Sequence, residues 1–269
     1  MEYISITNQK IAYFDDKADG QPLVFVHGNS LSSATFKHQL KDQTLNKYRL
    51  IALDLPGHGD SSQAEEPEKT YSIPGFISVL LEFVNKLNLH NAVFVGHSLG
   101  GHIILDASTR LISAKGFVIF GTPPLGFPPD MGKYFLPNPV FPLAYKPDLT
   151  TNEINDLASA FVKKDIEVPD VIIKDIRRTH QEMRAFLGAS LIPENLVNEV
   201  KIIEDIGKPV TIFHGKNDQL VNGEYLKELN IPTLWQNEIK TIPDSGHCPQ
   251  LENPKEFNLK LNEFLDQIL

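Results

Sequence analysis

The sequence is poor in several features, and each shortage removes a class of chemistry. One cysteine, Cys248, stands among 269 residues, which excludes an internal disulfide and a zinc site built from cysteines. No apolar stretch is long enough to span a bilayer, and Met1 to Lys10 lacks the basic and apolar regions of a secretory signal. Basic residues number 25 against 34 acidic ones, a formal net charge of −9. With no Lys/Arg cluster to track phosphates, the balance argues against nucleic acid. H-E-x-x-H and G-x-x-x-x-G-K-[ST] patterns are missing. Gly96 to Gly101 does not have the G-x-G-x-x-G spacing of a dinucleotide loop. There are no internal repeats or low-complexity tracts. The expectation is a soluble cytoplasmic protein, monomer or homodimer, with no cofactor, no metal, no nucleic-acid partner and no membrane partner.

What is present reads as an α/β protein. Apolar residues make up 41% and charged residues 22%, as in ordinary globular domains. Short apolar runs predict strands at Tyr3–Thr7, Ile11–Phe14, Leu23–His27, Leu50–Asp54, Ala92–Gly96, Phe117–Gly121, Val210–His214 and Ile239–Ile242. After the first two, the runs are continuous rather than alternating, as for parallel strands covered on both faces. Pro74 to Leu87 carries Phe76, Leu80, Phe83, Val84 and Leu87 on one helical stripe. Asn253 and Pro254 announce a C-terminal helix buried through Phe257, Leu261, Phe264, Leu265 and Ile268. A mostly parallel, doubly wound sheet of eight strands follows, opened by a hairpin.

One segment breaks the alternation. Residues 122–207 show no strand pattern and begin with prolines 123, 124, 128, 129, 137, 139, 142 and 147, unsuited to helix interiors or central strands. Helical patterns then cover Thr151–Lys164, Pro169–Leu191 and Pro193–Ile206. The reading is a core of residues 1–121 and 208–269 with a helical cap over residues 122–207. Phe127, Phe135, Phe141, Phe161 and Phe186 are its candidate pocket-lining aromatics.

Chemistry enters at Gly96-His97-Ser98-Leu99-Gly100, where an apolar strand runs into G-x-S-x-G. That pattern predicts a strained strand-to-helix turn holding Ser98 clear of the sheet. A serine nucleophile needs a base and a group that orients the base. His247, in Asp244-Ser245-Gly246-His247, follows the last strand; Asp218, in Gly215-Lys216-Asn217-Asp218, follows the one before. Asp244 lies too close in sequence to His247 to orient it, and Glu224 falls in a helix. The oxyanion donors are the N–H of Leu99 and that of Asn29, after the tight turn at Gly28. His27, Asp54 and His58 read as scaffolding, His97 as packing beside the sheet, and Cys248 as a small packing residue.

The stretches HGNS (27–30), DLPGHGDS (54–61), GHSLGG (96–101), GTPP (121–124), GKND (215–218) and DSGH (244–247) resemble the α/β-hydrolase fold superfamily along the whole chain. Ser98 stands where epoxide hydrolases and haloalkane dehalogenases carry aspartate, and the HGGPG loop of proline iminopeptidases is absent. Residues 27–40, 54–61, 71–72, 98–104, 121–124 and 234–247 are most similar to the α/β-hydrolase-type N-acyl-homoserine lactonases. The chain departs from them at His97, where they carry Trp, and at Asp218, where they carry Glu. The resemblance implies a small-molecule carboxylic ester or lactone as substrate, with ring-opening of N-acyl-homoserine lactones as its sharpest form. A plain carboxylesterase, a ligand-binding receptor and a hydroxynitrile-lyase-like enzyme of the same fold are the alternatives.

Overall fold

The computed structural model describes residues 1–6 and 9–269; Thr7, the last residue of the first expected strand, lies outside the described residues. The sheet is built from β1 (Glu2–Ile6), β2 (Gln9–Asp15), β3 (Pro22–Val26), β4 (Arg49–Leu53), β5 (Val93–His97), β6 (Gly116–Phe120), β7 (Val210–Gly215) and β8 (Lys240–Ile242). Its order is β1-β2-β4-β3-β5-β6-β7-β8. β2 pairs antiparallel with β1 and β4, and every later pairing is parallel. Each predicted strand is present, within a few residues at either end.

Alternation along the strands serves two cores. Val24, Val26, Phe94 and Ile119 face one side, against the helices Ile73–Lys86 and Leu99–Ala107. Leu23, Phe25, Val95 and Phe120 face the other, against Phe257, Leu261, Phe264 and Leu265 of the helix Pro254–Ile268. Both faces being covered is why these strands read as unbroken apolar runs. Asn253 caps the last helix by accepting from the Glu256 N–H. A buried Phe or Leu there contributes about 1.5–3 kcal/mol.

Parallel order brings the C-terminal ends of β3, β5, β6, β7 and β8 to one edge, where open α/β sheets carry their sites. Over that edge lies the chain between β6 and β7. Its longer helices are Thr151–Ala160, Asp170–Arg178, Gln181–Ser190 and Glu199–Asp205, after a single turn at Met131–Tyr134. Ile154, Leu157, Ile172 and Ile176 pack with Leu31, Leu220 and Leu251 from the sheet's loops. Asp175 accepts from Ser32 Oγ at 2.6 Å, and Arg178 bonds Asp175, Ser32 Oγ and Asp60 together.

Three helical boundaries differ from the sequence reading. The first helix stops at Ala160 rather than Lys164. Pro169–Leu191 is two helices, because Thr179 and His180 are extended and the His180 N–H donates to Gly57 O at 2.9 Å. Pro193–Ile206 keeps only a single tight turn at Pro193–Asn195 before Asn198 caps the helix Glu199–Asp205.

Candidate active site

Ser98 sits between β5 and the helix Leu99–Ala107 with φ 51° and ψ −117°. For a residue with a Cβ, such a backbone costs of order 1–3 kcal/mol and persists only where neighbours over-determine it. Here the Ser98 N–H donates to Phe120 O at 2.8 Å, and Thr122 Oγ1 donates to Ser98 O at 2.9 Å. The helix then comes so close to β3 that a Cβ on Gly100 would lie 2.2 Å from Val26 O.

His247 and Asp218 arrive from the loops after β8 and β7. His247 Nδ1 donates to Asp218 Oδ2 at 3.0 Å, and both side chains are almost wholly buried. Asp218 Oδ1 accepts from the N–H groups of Leu220 and Val221. Burial alone would raise the Asp218 carboxyl; the His247 ring, its hydrogen bond and the Leu220 N–H outweigh this and hold it below its ordinary value. With Nδ1 on Asp218, Nε2 carries the lone pair a base requires. Gly121 has φ 61°, and a Cβ there would stand 2.9 Å from His247 Cε1, so this turn needs glycine.

Ser98 and His247 open together onto a cavity of about 280 Å³ that Asn29 and Leu99 also line. Neither the Asn29 N–H nor the Leu99 N–H donates to any described residue. Asn29 is held from its side chain, Nδ2 donating to Ala144 O at 2.9 Å. Leu125, Met131, Phe135, Phe141, Phe161 and Leu187 supply apolar wall. Two of the expected aromatics are elsewhere. Phe127 points outward at 57% exposure. Phe186 packs against the main core instead, because Met183 and Leu187, one turn apart, form the inward stripe of their helix.

The remaining candidates hold loops. His27 Nε2 accepts from the Leu55 N–H and its Nδ1 donates to Gly28 O. His58 Nε2 accepts from the Ser30 N–H. Asp54 accepts from the Ser33 and Asp60 N–H groups. Asp244 is exposed beside Lys163, and Glu224 is paired with Lys227. His97 is fully buried, stacked on Phe120. Among the described residues no cluster of His, Cys, Asp or Glu is arranged to hold a metal ion.

One group was not anticipated. His102 lines the same cavity and bonds through Nδ1 to both carboxylate oxygens of Glu199, at 2.8 and 2.9 Å. Its sequence signal is its place within the stretch 98–104, four residues beyond Ser98.

The fold has counterparts among known proteins. The N-acyl homoserine lactonase AidH, as a serine-to-glycine variant complexed with N-hexanoyl homoserine lactone, matches with a TM-score of 0.93 at 28% identity, covering 99% of this chain and 97% of that one. The AB hydrolase superfamily protein YisY of Bacillus subtilis is 24% identical over 274 residues, 97% of this chain and 98% of that protein. A non-heme chloroperoxidase of Burkholderia pyrrocinia is 26% identical over 282 residues, covering 98% and 99%. The profile of the alpha/beta hydrolase family matches residues 23–259. With that span enclosing the serine turn and the loops after β7 and β8, the chain belongs to the alpha/beta hydrolase family.

Proposed function

We propose that this protein is a serine hydrolase that opens the ring ester of N-acyl homoserine lactones through an acyl-enzyme. The observation that carries the reading is that Ser98 and His247 line one cavity of about 280 Å³ with mostly apolar walls, suited to a neutral ester with an acyl chain. The likeness to AidH, solved with N-hexanoyl homoserine lactone, directs the choice among esters.

In this mechanism Ser98 Oγ attacks the lactone carbonyl carbon while its proton passes to His247 Nε2, and Asp218 supports the imidazolium through Nδ1. The N–H groups of Asn29 and Leu99 take up the charge on the carbonyl oxygen. Collapse breaks the ring C–O bond, and the alkoxide receives the proton from His247. Because the ring joined acyl carbon and alkoxide, the new hydroxyl stays on the acyl-enzyme. Water, losing a proton to His247, then attacks the acyl carbon; the C–Oγ bond breaks, His247 returns the proton to Ser98 Oγ, and N-acyl homoserine leaves as product. The amide survives, since a ring alkoxide leaves far more readily than an amide nitrogen. Residues 122–207 act as the cap that shapes the acyl pocket.

Mass spectrometry of N-hexanoyl homoserine lactone incubated with the protein tests this. The expected product is one water heavier than the substrate. Release of hexanoate and homoserine lactone overturns it in favour of amide cleavage, and an intact lactone beside rapid p-nitrophenyl ester turnover leaves a carboxylesterase.

A further inference from the structure

His102 is a polar group of this cavity that the triad and the oxyanion donors leave unexplained. It sits one helical turn beyond the serine, its N–H donating to Ser98 O at 3.2 Å, and its ring lines the cavity onto which Ser98 opens. Its ring is aimed from behind. Nδ1 meets Glu199, a buried carboxylate whose Oε2 also accepts from the Leu125 N–H at 2.7 Å. Asp106, one turn further along the helix, adjoins Glu199; burial first, then the Glu199 charge and a hydrogen bond to it, push its carboxyl up to about 9. Asp106 and the Leu125 N–H together hold Glu199 in place behind His102 Nδ1. Nε2, on the far edge of the ring, has no hydrogen-bond partner among the described residues, and the ring lines the cavity.

We propose that His102, oriented by Glu199, is a specificity-determining residue whose Nε2 accepts a hydrogen bond from a substrate amide N–H placed one carbon from the scissile carbonyl. The inference rests on the ester-hydrolase reading above and narrows it, from esters with an apolar chain to N-acylated α-amino esters and lactones. An amide at that point is the first polar group a substrate presents beyond the carbonyl under attack. In an apolar cavity its N–H loses hydration on binding and needs an acceptor there. A pinned imidazole supplies one without the rotamer entropy of a free side chain.

The test compares kcat/KM for N-hexanoyl homoserine lactone with that for an α-alkyl-γ-butyrolactone of equal length, which lacks the amide. Wild-type protein should favour the amide-bearing lactone, and His102→Leu should lower that preference about tenfold or more, mainly through KM. His102→Asn, which keeps an acceptor, should retain part of it. Glu199→Gln should weaken it by releasing the ring. If His102→Leu does not fold, the Asn and Gln variants give the same reading. An unchanged preference in every folded variant overturns the proposal and leaves His102–Glu199 as a tie between the serine helix and the helix Glu199–Asp205. Should wild-type protein open neither lactone, the lactonase reading has failed separately. The same variants are then compared on p-nitrophenyl N-hexanoylglycinate and p-nitrophenyl octanoate, where an equal preference in wild type and variants overturns the amide role as well.

Discussion

His97 Nε2 donates to the main-chain carbonyl of His247 at 2.8 Å. The residue before the serine thus anchors the backbone of the residue proposed as its base, 150 positions later in the chain. His97 stays neutral in this role, because burial above all, then its neighbour His247, lowers its pKa well below the ordinary histidine value. Its ring stacks on Phe120 at 4.8 Å.

Replacing that anchor should loosen the base without removing it. His97→Leu is expected to lower kcat about tenfold, the scale of one lost buried hydrogen bond, with a smaller change in KM. A kcat equal to that of the wild type, measured on p-nitrophenyl butyrate, would remove the positioning role.

Ser98→Ala should abolish turnover by about 10³–10⁶-fold while leaving the fold intact. Ser98→Gly should be equally inactive yet more stable than Ser98→Ala by about 1 kcal/mol, since glycine accepts a positive φ without the Cβ penalty. Thermal melts of the two variants check this; equal melting temperatures would mean that the turn stores no strain.

Asp218→Asn should reduce kcat by about 10⁴-fold, through loss of the ring's orientation and charge support. Its effect on stability depends on pH. The folded pKa of Asp218 lies below its unfolded value near 3.9, so its ionised form stabilises the fold above about pH 4, and that contribution is lost as pH falls through the folded value. The destabilisation caused by Asp218→Asn should accordingly be full at pH 7 and shrink towards pH 3. Glu224→Gln, at the exposed Lys227 pair, serves as the control. Urea melts across this range, with kinetics at neutral pH, decide the assignment.

Asp106 has the opposite sign. Burial first, then the Glu199 charge, push its carboxyl up to about 9 in the fold, so the unfolded chain ionises it far earlier and stability should decline from about pH 4 towards 9. Asp106→Asn keeps a neutral donor for Glu199 and avoids that decline. The melting temperature of the variant relative to wild type should therefore rise between pH 5 and pH 8. A difference that is flat with pH would contradict the raised value.

Local chemistry made much of this protein legible before any contact was known. Two-sided burial makes β3 to β7 nearly continuous apolar runs, and a strand followed by Gly96-His97-Ser98-Leu99-Gly100 demands a turn that only glycine neighbours tolerate, because the helix nearly touches Val26 O. Asp218 and His247 were visible since each follows a strand, and parallel strands end on one edge. Other features depend on partners far away in sequence. The helix expected over Pro169–Leu191 breaks because His180 N–H meets Gly57 O, and no local propensity encodes that acceptor. Phe186 turns from the cavity because Met183 and Leu187 take the inward stripe. His102 looked like any polar residue on an amphipathic helix until Glu199, 97 positions on, closed against its Nδ1. Backbone geometry and apolar period are properties of neighbouring residues and are written locally; the aim of a side chain across a cavity is set by which distant group fills the space behind it, and only the packed chain decides that.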